Sequence, residues 1–300
     1  MLAKLDPNTL RALMPQFLSG FIRDPAVAAT NLARIQVPIA AWSDEVAQGV
    51  IDELAALGSE EVLYKANPAC KTVARAWSRD LISEHEIIGV EHLRKATESG
   101  PTMVLCNHSA YFDSTAIDAM LAWGGHEDLA DRLVSAAGPK VYTDLFRRVA
   151  AGCINTLPVP QSTSFSHTTQ MSPRELARRA INSMKAAGAA LDDGYVLLLF
   201  PEGSRTRTGT MGPFLRGVHR YLGLRAGLQV IPTALVGTAR IMPVGDHNKV
   251  RPASASLTFG PPLIVGPDLP QREALLAAHA AISALLPAAN RPPESQPVIA

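Results

Sequence analysis

Two short stretches of this 300-residue chain carry side chains able to move a proton or hold an anion. In the first, LCNHSAYFDSTAIDAML, His108 follows a short apolar run and Asp113 stands five positions on, where helix-like sequence begins. A carboxylate facing an imidazole accepts a hydrogen bond from one ring nitrogen and fixes the tautomer. The other nitrogen can then take a proton from an alcohol. Taken alone, the segment favours a plainer reading, with Asp113 capping its helix and His108 an ordinary loop residue. The second stretch, YVLLLFPEGSRTRTGTMGPFLRG, says more. An apolar run ends at Phe200, Pro201 and Gly203 force a turn, and Arg205 and Arg207 follow. Two guanidinium groups one residue apart in a glycine-rich loop suit a phosphate monoester, because arginine offers planar, bidentate donors that stay charged. A solvated loop is the usual fate of such a pair. The embedded Glu202 argues against it, since it could hold the turn or orient an arginine.

The elements that must position these residues are legible in outline. Residues 1–80 read as helical, most clearly in SDEVAQGVIDELAALG, where Ser43 can cap and Gly58 can end a helix. Further on, apolar runs at 103–106, 195–200, 228–236 and 255–260 alternate with helix-like segments. That alternation predicts an α/β fold, a mostly parallel sheet flanked by helices, with an N-terminal helical subdomain. A helix over 172–191 is signalled by Pro173 and by Ser172 with Glu175 as a capping box, and another over 271–286 stops at Pro287. The expected organisation is a helical segment over 1–80, an α/β domain over 81–287 and a disordered tail over 288–300. In an open α/β sheet, ligands bind at the loops leaving the carboxyl ends of strands, which is where both chemical stretches fall.

Composition narrows the function. With 28 basic and 27 acidic residues, overall charge gives no reason to expect nucleic acid as a partner. Cys70, Cys106 and Cys153 form neither a disulfide framework nor a metal-ligand cluster, so a reducing cytoplasm is the expected setting. Cys106 ends an apolar run and reads as packing, not as a nucleophile. In HEIIGVEH the histidines are seven apart, the wrong spacing for a zinc-binding helix, and no metal site is expected. No Gly-x-Ser-x-Gly elbow, P-loop or dinucleotide fingerprint occurs. The first residues lack a signal-peptide apolar region, and no run approaches the ~20 apolar residues of a membrane span.

The two stretches resemble a known family. NHSAYFD is similar to the His-x4-Asp motif of the glycerophospholipid acyltransferases, which include glycerol-3-phosphate and lysophosphatidate acyltransferases. FPEGSRTR resembles that family's Phe-Pro-Glu-Gly-Ser/Thr-Arg signature. GPFLRG resembles the segment after it, and VIPTALVGT the apolar fourth motif, so the likeness covers roughly residues 85–265. The second motif departs: no arginine lies between Arg148 and Arg174, where relatives commonly carry one thought to hold the acceptor phosphate. His167, Lys140 and Arg174 are the candidate substitutes, and the Ser/Thr-rich stretch around His167 reads equally as a mobile loop over the site.

The resemblance implies a phospholipid-biosynthesis transferase moving an acyl group from acyl-CoA or acyl carrier protein to a hydroxyl of glycerol 3-phosphate or 1-acylglycerol 3-phosphate. His108 would be the general base, Asp113 would orient it, and backbone N–H groups near 108–114 would stabilise the oxyanion. Glu202, Gly203, Ser204, Arg205 and Arg207 would bind the acceptor, with Gly203 allowing close backbone approach. No cofactor is implied beyond the acyl donor. A lipid substrate implies peripheral membrane contact from the cytoplasmic side. Two alternatives stay open: an acceptor without phosphate, such as another lipid or a secondary-metabolite alcohol or amine, and a non-catalytic lipid-binding relative.

Overall fold

The computed structural model describes residues 5–160, 171–245 and 250–299. Four helices come first: α1 (Pro7–Ser19), α2 (Pro25–Ala40), α3 (Asp44–Ala56) and α4 (Pro68–Arg79). Asp6, Asp24, Ser43 and Asn67 cap them by accepting from first-turn N–H groups that have no partner inside the helix. The sheet and its covering helices follow as β1 (Ile82–Ile88), α5 (Val90–Ser99), β2 (Thr102–Cys106), α6 (Asp113–Trp123), α7 (Glu127–Arg132) and β3 (Leu133–Ala137). Next come α8 (Leu145–Gly152), β4 (Asn155–Pro158), α9 (Pro173–Asp192), β5 (Val196–Leu199), α10 (His219–Leu222) and β6 (Gln229–Val236). The chain continues with α11 (Thr238–Ile241), β7 (Ala253–Phe259), β8 (Leu263–Ile264) and α12 (Gln271–Leu285).

Strand order is β1-β7-β6-β2-β5-β3-β4, with β8 beside β6. Pairing is parallel except where β6 meets β7 and β8. The central strand β2 is buried at every position, as a parallel strand covered on both faces must be. Its side chains alternate between two cores. Val104 and Cys106 join a cluster containing Leu18, Ile35, Ile51 and Trp77 from α1 to α4. Met103 and Leu105 join Ala187 and Leu191 of α9 and Leu275 and Ile282 of α12 on the other face. The N-terminal helices thus share a core with one face of the sheet.

HEII belongs to strand β1, whose exposed polar residues suit an edge of the sheet. Two sequence expectations need correction. Residues 172–191 do form a helix, and Ser172 caps it, but Glu175 pairs with Arg178 and Arg179 instead of completing the box. The tail expected to be disordered is laid against residues 209–214 through Ile299. Phe214 N–H donates to Val298 O, Met211 N–H to Asn290 O, and the Gln296 amide to Met211 O. A proline-rich segment is extended by preference, and an extended chain can pair with a neighbouring loop. Among the described residues no helix is long and apolar enough to cross a membrane.

Candidate active site

The site follows from strand register. β2 and β5 are parallel neighbours, with Leu105 opposite Leu199, so the segments leaving their carboxyl ends start side by side. One carries Asn107 and His108, the other Phe200 to Arg207. Asn107 extends the sheet by one step: its amide donates to Leu235 O at 2.9 Å and accepts from Leu235 N–H at 2.8 Å, tying the loop to β6.

His108 is held from several directions. Its Nδ1 lies 2.8 Å from Asp113 Oδ2, and its ring stacks on Phe200 with centroids 4.2 Å apart. The same Oδ2 accepts from the N–H groups of Ser109 and Ala110 at 2.7 and 3.0 Å. The second oxygen, Oδ1, accepts from the Thr238 hydroxyl at 2.5 Å. Thr238 in turn lies 2.9 Å from Ser109 Oγ, which must donate because the Thr238 proton is already committed. Asp113 is fully buried, and its donors fix it in one orientation. With a fixed acceptor at Nδ1, the proton sits there and Nε2 keeps its lone pair. Nε2 makes no hydrogen bond among the described residues, and His108 borders a cavity.

Glu202 joins the two loops. Its carboxylate accepts from His108 N–H at 2.7 Å and from Gly212 N–H at 2.7 Å. His108 O accepts in return from Thr206 N–H at 2.8 Å. Burial lifts the Glu202 carboxyl to about 7, against the pull of the Gly212 and His108 donors and with a further push from the Asp113 charge. Both oxygens being engaged by backbone, Glu202 holds the loop. Gly203 has φ 67, and a Cβ there would fall 2.2 Å from Leu215 Cδ1, so its close approach is to Leu215.

Arg205 rests on Tyr111, its guanidinium carbon 3.4 Å from the ring centroid, and Arg147 of α8 approaches the same ring at 4.4 Å. Both arginines border a cavity of ≈ 1120 Å³. His108, Glu202, Gly203, Ser204, Arg205 and Arg207 all border it, while Asp113 stands behind His108. Away from the charged rim its lining is mostly apolar, with Leu18, Trp77, Phe112, Phe146 and Met242, though Thr115 and Ser135 also border it.

The arrangement thus brings the sequence-identified residues together, with Ser204 and Arg207 on its exposed margin. Of the backbone donors expected for an oxyanion near 108–114, the N–H groups of His108, Ser109, Ala110 and Asp113 are bonded. Of the substitutes for the missing arginine, Lys140 borders the cavity, Arg174 is exposed and does not, and His167 lies outside the described residues. Cys106 is fully buried, and burial pushes its thiol up, so it is no nucleophile. Sequence reasoning missed Thr238, though it ends the fourth-motif stretch, and missed Tyr111 and Arg147. Tyr111, inside the first motif, and Thr238, at the end of the fourth, had a signal that could have found them, and Arg147 had none.

A parallel-stranded α/β fold with a His–Asp pair and an arginine-bearing loop at adjacent strand ends defines a His-x4-Asp class of protein. Comparison with known sequences agrees. The profile of the acyltransferase family matches residues 86–236, just over half of the chain. The chain belongs to that family, the glycerophospholipid acyltransferases its motifs resemble. It is similar to a chloroplastic 1-acyl-sn-glycerol-3-phosphate acyltransferase of Arabidopsis thaliana, 25% identical over 60% of this chain and 46% of that one. A chloroplastic 1-acyl-sn-glycerol-3-phosphate acyltransferase of Brassica napus is 33% identical over 25% of this chain and 23% of its own length. The chain therefore spans less than half the length of these relatives. Among solved structures, the 1-acyl-sn-glycerophosphate acyltransferase of Thermotoga maritima superposes with a TM-score of 0.47 at 18% identity, covering 72% of this chain and 82% of that one.

Proposed function

We propose that this protein transfers a fatty acyl group from a thioester, acyl-CoA or acyl carrier protein, to the free hydroxyl of 1-acylglycerol 3-phosphate. One observation carries the reading: His108, oriented by Asp113, borders the same cavity as Arg205 and Arg207. The names of the relatives support the acceptor, and the apolar lining near Leu18, Trp77 and Phe146 supports a long hydrocarbon chain.

In this reaction both substrates are bound together. The acceptor oxygen attacks the thioester carbonyl carbon while His108 Nε2 takes its proton, forming a tetrahedral intermediate. That intermediate collapses with cleavage of the C–S bond, and the imidazolium returns the proton to the departing thiolate. The products are an ester and a free thiol. Asp113 stabilises the imidazolium, while Arg205 and Arg207 anchor the phosphate. With the N–H groups of His108, Ser109, Ala110 and Asp113 engaged, the oxyanion takes its donors from other groups that border the cleft. Holding two reactants in line contributes roughly 7–11 kcal/mol to lowering a barrier, and a general base ~10²–10⁴-fold in rate, so positioning supplies the larger share.

The absent second-motif arginine is the observation favouring an acceptor without phosphate. Mass spectrometry of products from a mixed pool, with glycerol 3-phosphate, 1-acylglycerol 3-phosphate, monoacylglycerol and lysophosphatidylcholine offered beside acyl-CoA or acyl carrier protein, separates the readings. Accumulation of diacylglycerol 3-phosphate is expected. Exclusive acylation of acceptors lacking a terminal phosphate would overturn the assignment.

A further inference from the structure

The second-motif arginine is missing, yet the cleft holds a second guanidinium from another element. Arg147 sits in the first turn of α8, and its guanidinium lies 4.4 Å from the centroid of the Tyr111 ring that also carries Arg205 at 3.4 Å. Both residues border the His108 cavity. We propose that Arg147 is the second arm of a guanidinium clamp that, with Arg205, holds the acceptor's phosphate monoester, Tyr111 being the plate that spaces the two arms. The inference rests on the phosphate acceptor proposed above and assigns that acceptor's specificity to a residue outside the family motifs.

Three observations carry it. Arg147 is incompletely satisfied: Nε is buried without a hydrogen-bond partner, one terminal nitrogen reaches only Lys140 O at 3.3 Å, and Asp144 stands off at 3.8 Å. The same Asp144 oxygen is already the cap of α8, accepting from Arg147 N–H at 3.0 Å. A buried, unpaired guanidinium N–H is costly unless a ligand completes it. Second, two like charges meet at one ring with no carboxylate bridging them, and the Arg147 charge adds to burial in lowering the pKa of Arg205. A phosphate monoester, close to a dianion, relieves that repulsion and offers oxygens to both forks. Third, the neighbouring Arg148 cannot take this part: its nitrogens are spent on Tyr142 O and Leu54 O, where it fastens α8 to α3. The arginine pair in LFRRV is thus divided, one member structural and one facing the cleft.

The test is steady-state kinetics of Arg147→Ala and Arg147→Lys, with acyl-CoA as donor and either 1-acylglycerol 3-phosphate or monoacylglycerol as acceptor. For Arg147→Ala the KM for the phosphate-bearing acceptor rises roughly 10- to 100-fold, the scale of losing a hydrogen bond to a charged group. Its kcat at saturation and its donor KM stay within about threefold, the signature of lost uniform binding. Arg147→Lys falls between, since it restores charge without the fork. A phosphate-selective wild type with an unchanged acceptor KM in Arg147→Ala overturns the clamp alone. A wild type indifferent to the phosphate overturns the clamp together with the acceptor assignment. A donor KM that rises as much as the acceptor KM also overturns it, since that pattern marks a general structural role.

Discussion

The His108 ring is pinned at Nδ1 by Asp113, across its face by Phe200, and through its backbone by Glu202 and Thr206. Such over-determination suits the base proposed for His108, because a reacting group displaced by 1 Å can lose about a hundredfold in rate. Glu202 is the least comfortable member, a buried carboxyl raised to about 7 chiefly by burial. The sign of its pH effect follows. Its folded-state pKa lies above the ordinary carboxyl value, so its contribution to stability is fully present below about 4.5 and is lost as pH rises through about 7. Glu202→Gln does not titrate. The difference in melting temperature between the two proteins should therefore shift in favour of the glutamine variant as pH climbs across that window, and level off above it. A difference independent of pH would contradict the burial argument. Activity should still fall in Glu202→Gln at every pH, because an amide cannot accept from both Gly212 and His108 with both ends. Of these residues, His108 and Asp113 were legible only through the likeness of NHSAYFD to the family motif, since the segment alone favours a helix cap. The bond of Thr238 to Asp113, 125 positions away, was not legible: a threonine after a strand has no sequence feature that declares its partner.

At the scale of elements, the site exists because β2 and β5 are parallel neighbours. Their apolar runs were readable from composition, but which strand lies beside which was not, since order depends on helix packing over both faces. β3 and β4 escaped notice for another reason: LVSAA and NTLP carry Ser, Ala, Asn and Pro, whereas β2 and β5, which are no longer, are near-continuous apolar runs. The tail was misjudged because its prolines and polar residues match a disordered composition, whereas its role lies in backbone pairing, to which composition is blind. That pairing has a functional reach. The tail holds residues 209–214, the backbone of Gly212 holds Glu202, and Glu202 holds His108. Asn290 adds a side-chain bond to Gly209 O at 2.8 Å. Removing residues 290–300 should lower kcat roughly tenfold, equivalent to about 1.4 kcal/mol in the barrier, while the melting temperature drops by only a few degrees. A truncated protein with full turnover would show that the 209–214 segment holds its shape unaided.

Taken whole, the molecule is a sheet with two cores, one of which includes the N-terminal helices. Those helices are fastened by charge as well as by apolar contact. Arg75 of α4 reaches Asp118 of α6 at 2.9 Å and Asp131 of α7 at 2.8 Å, and Lys71 reaches Asp131 at 3.0 Å. The Arg75–Asp118 pair is nearly buried, so it costs desolvation and contributes more to a fixed docking of α4 on α6 than to net stability. The helix so docked, α6, begins with Asp113, and α4 also lends Ala74 and Trp77 to the cavity. The N-terminal segment therefore shapes the apolar end of the cleft in which His108 and the arginines meet.

In the proposed reaction this cleft is the reaction centre and His108 Nε2 is its base. That role is tested most directly by thiol release from acyl-CoA in the presence of 1-acylglycerol 3-phosphate, comparing the protein with His108→Ala. The expected result is a loss of turnover of at least ~10²-fold, at an unchanged melting temperature, since His108 lies at the cavity edge and its Asp113 partner keeps three other donors. Undiminished turnover in a well-folded His108→Ala protein would mean that His108 is not the base.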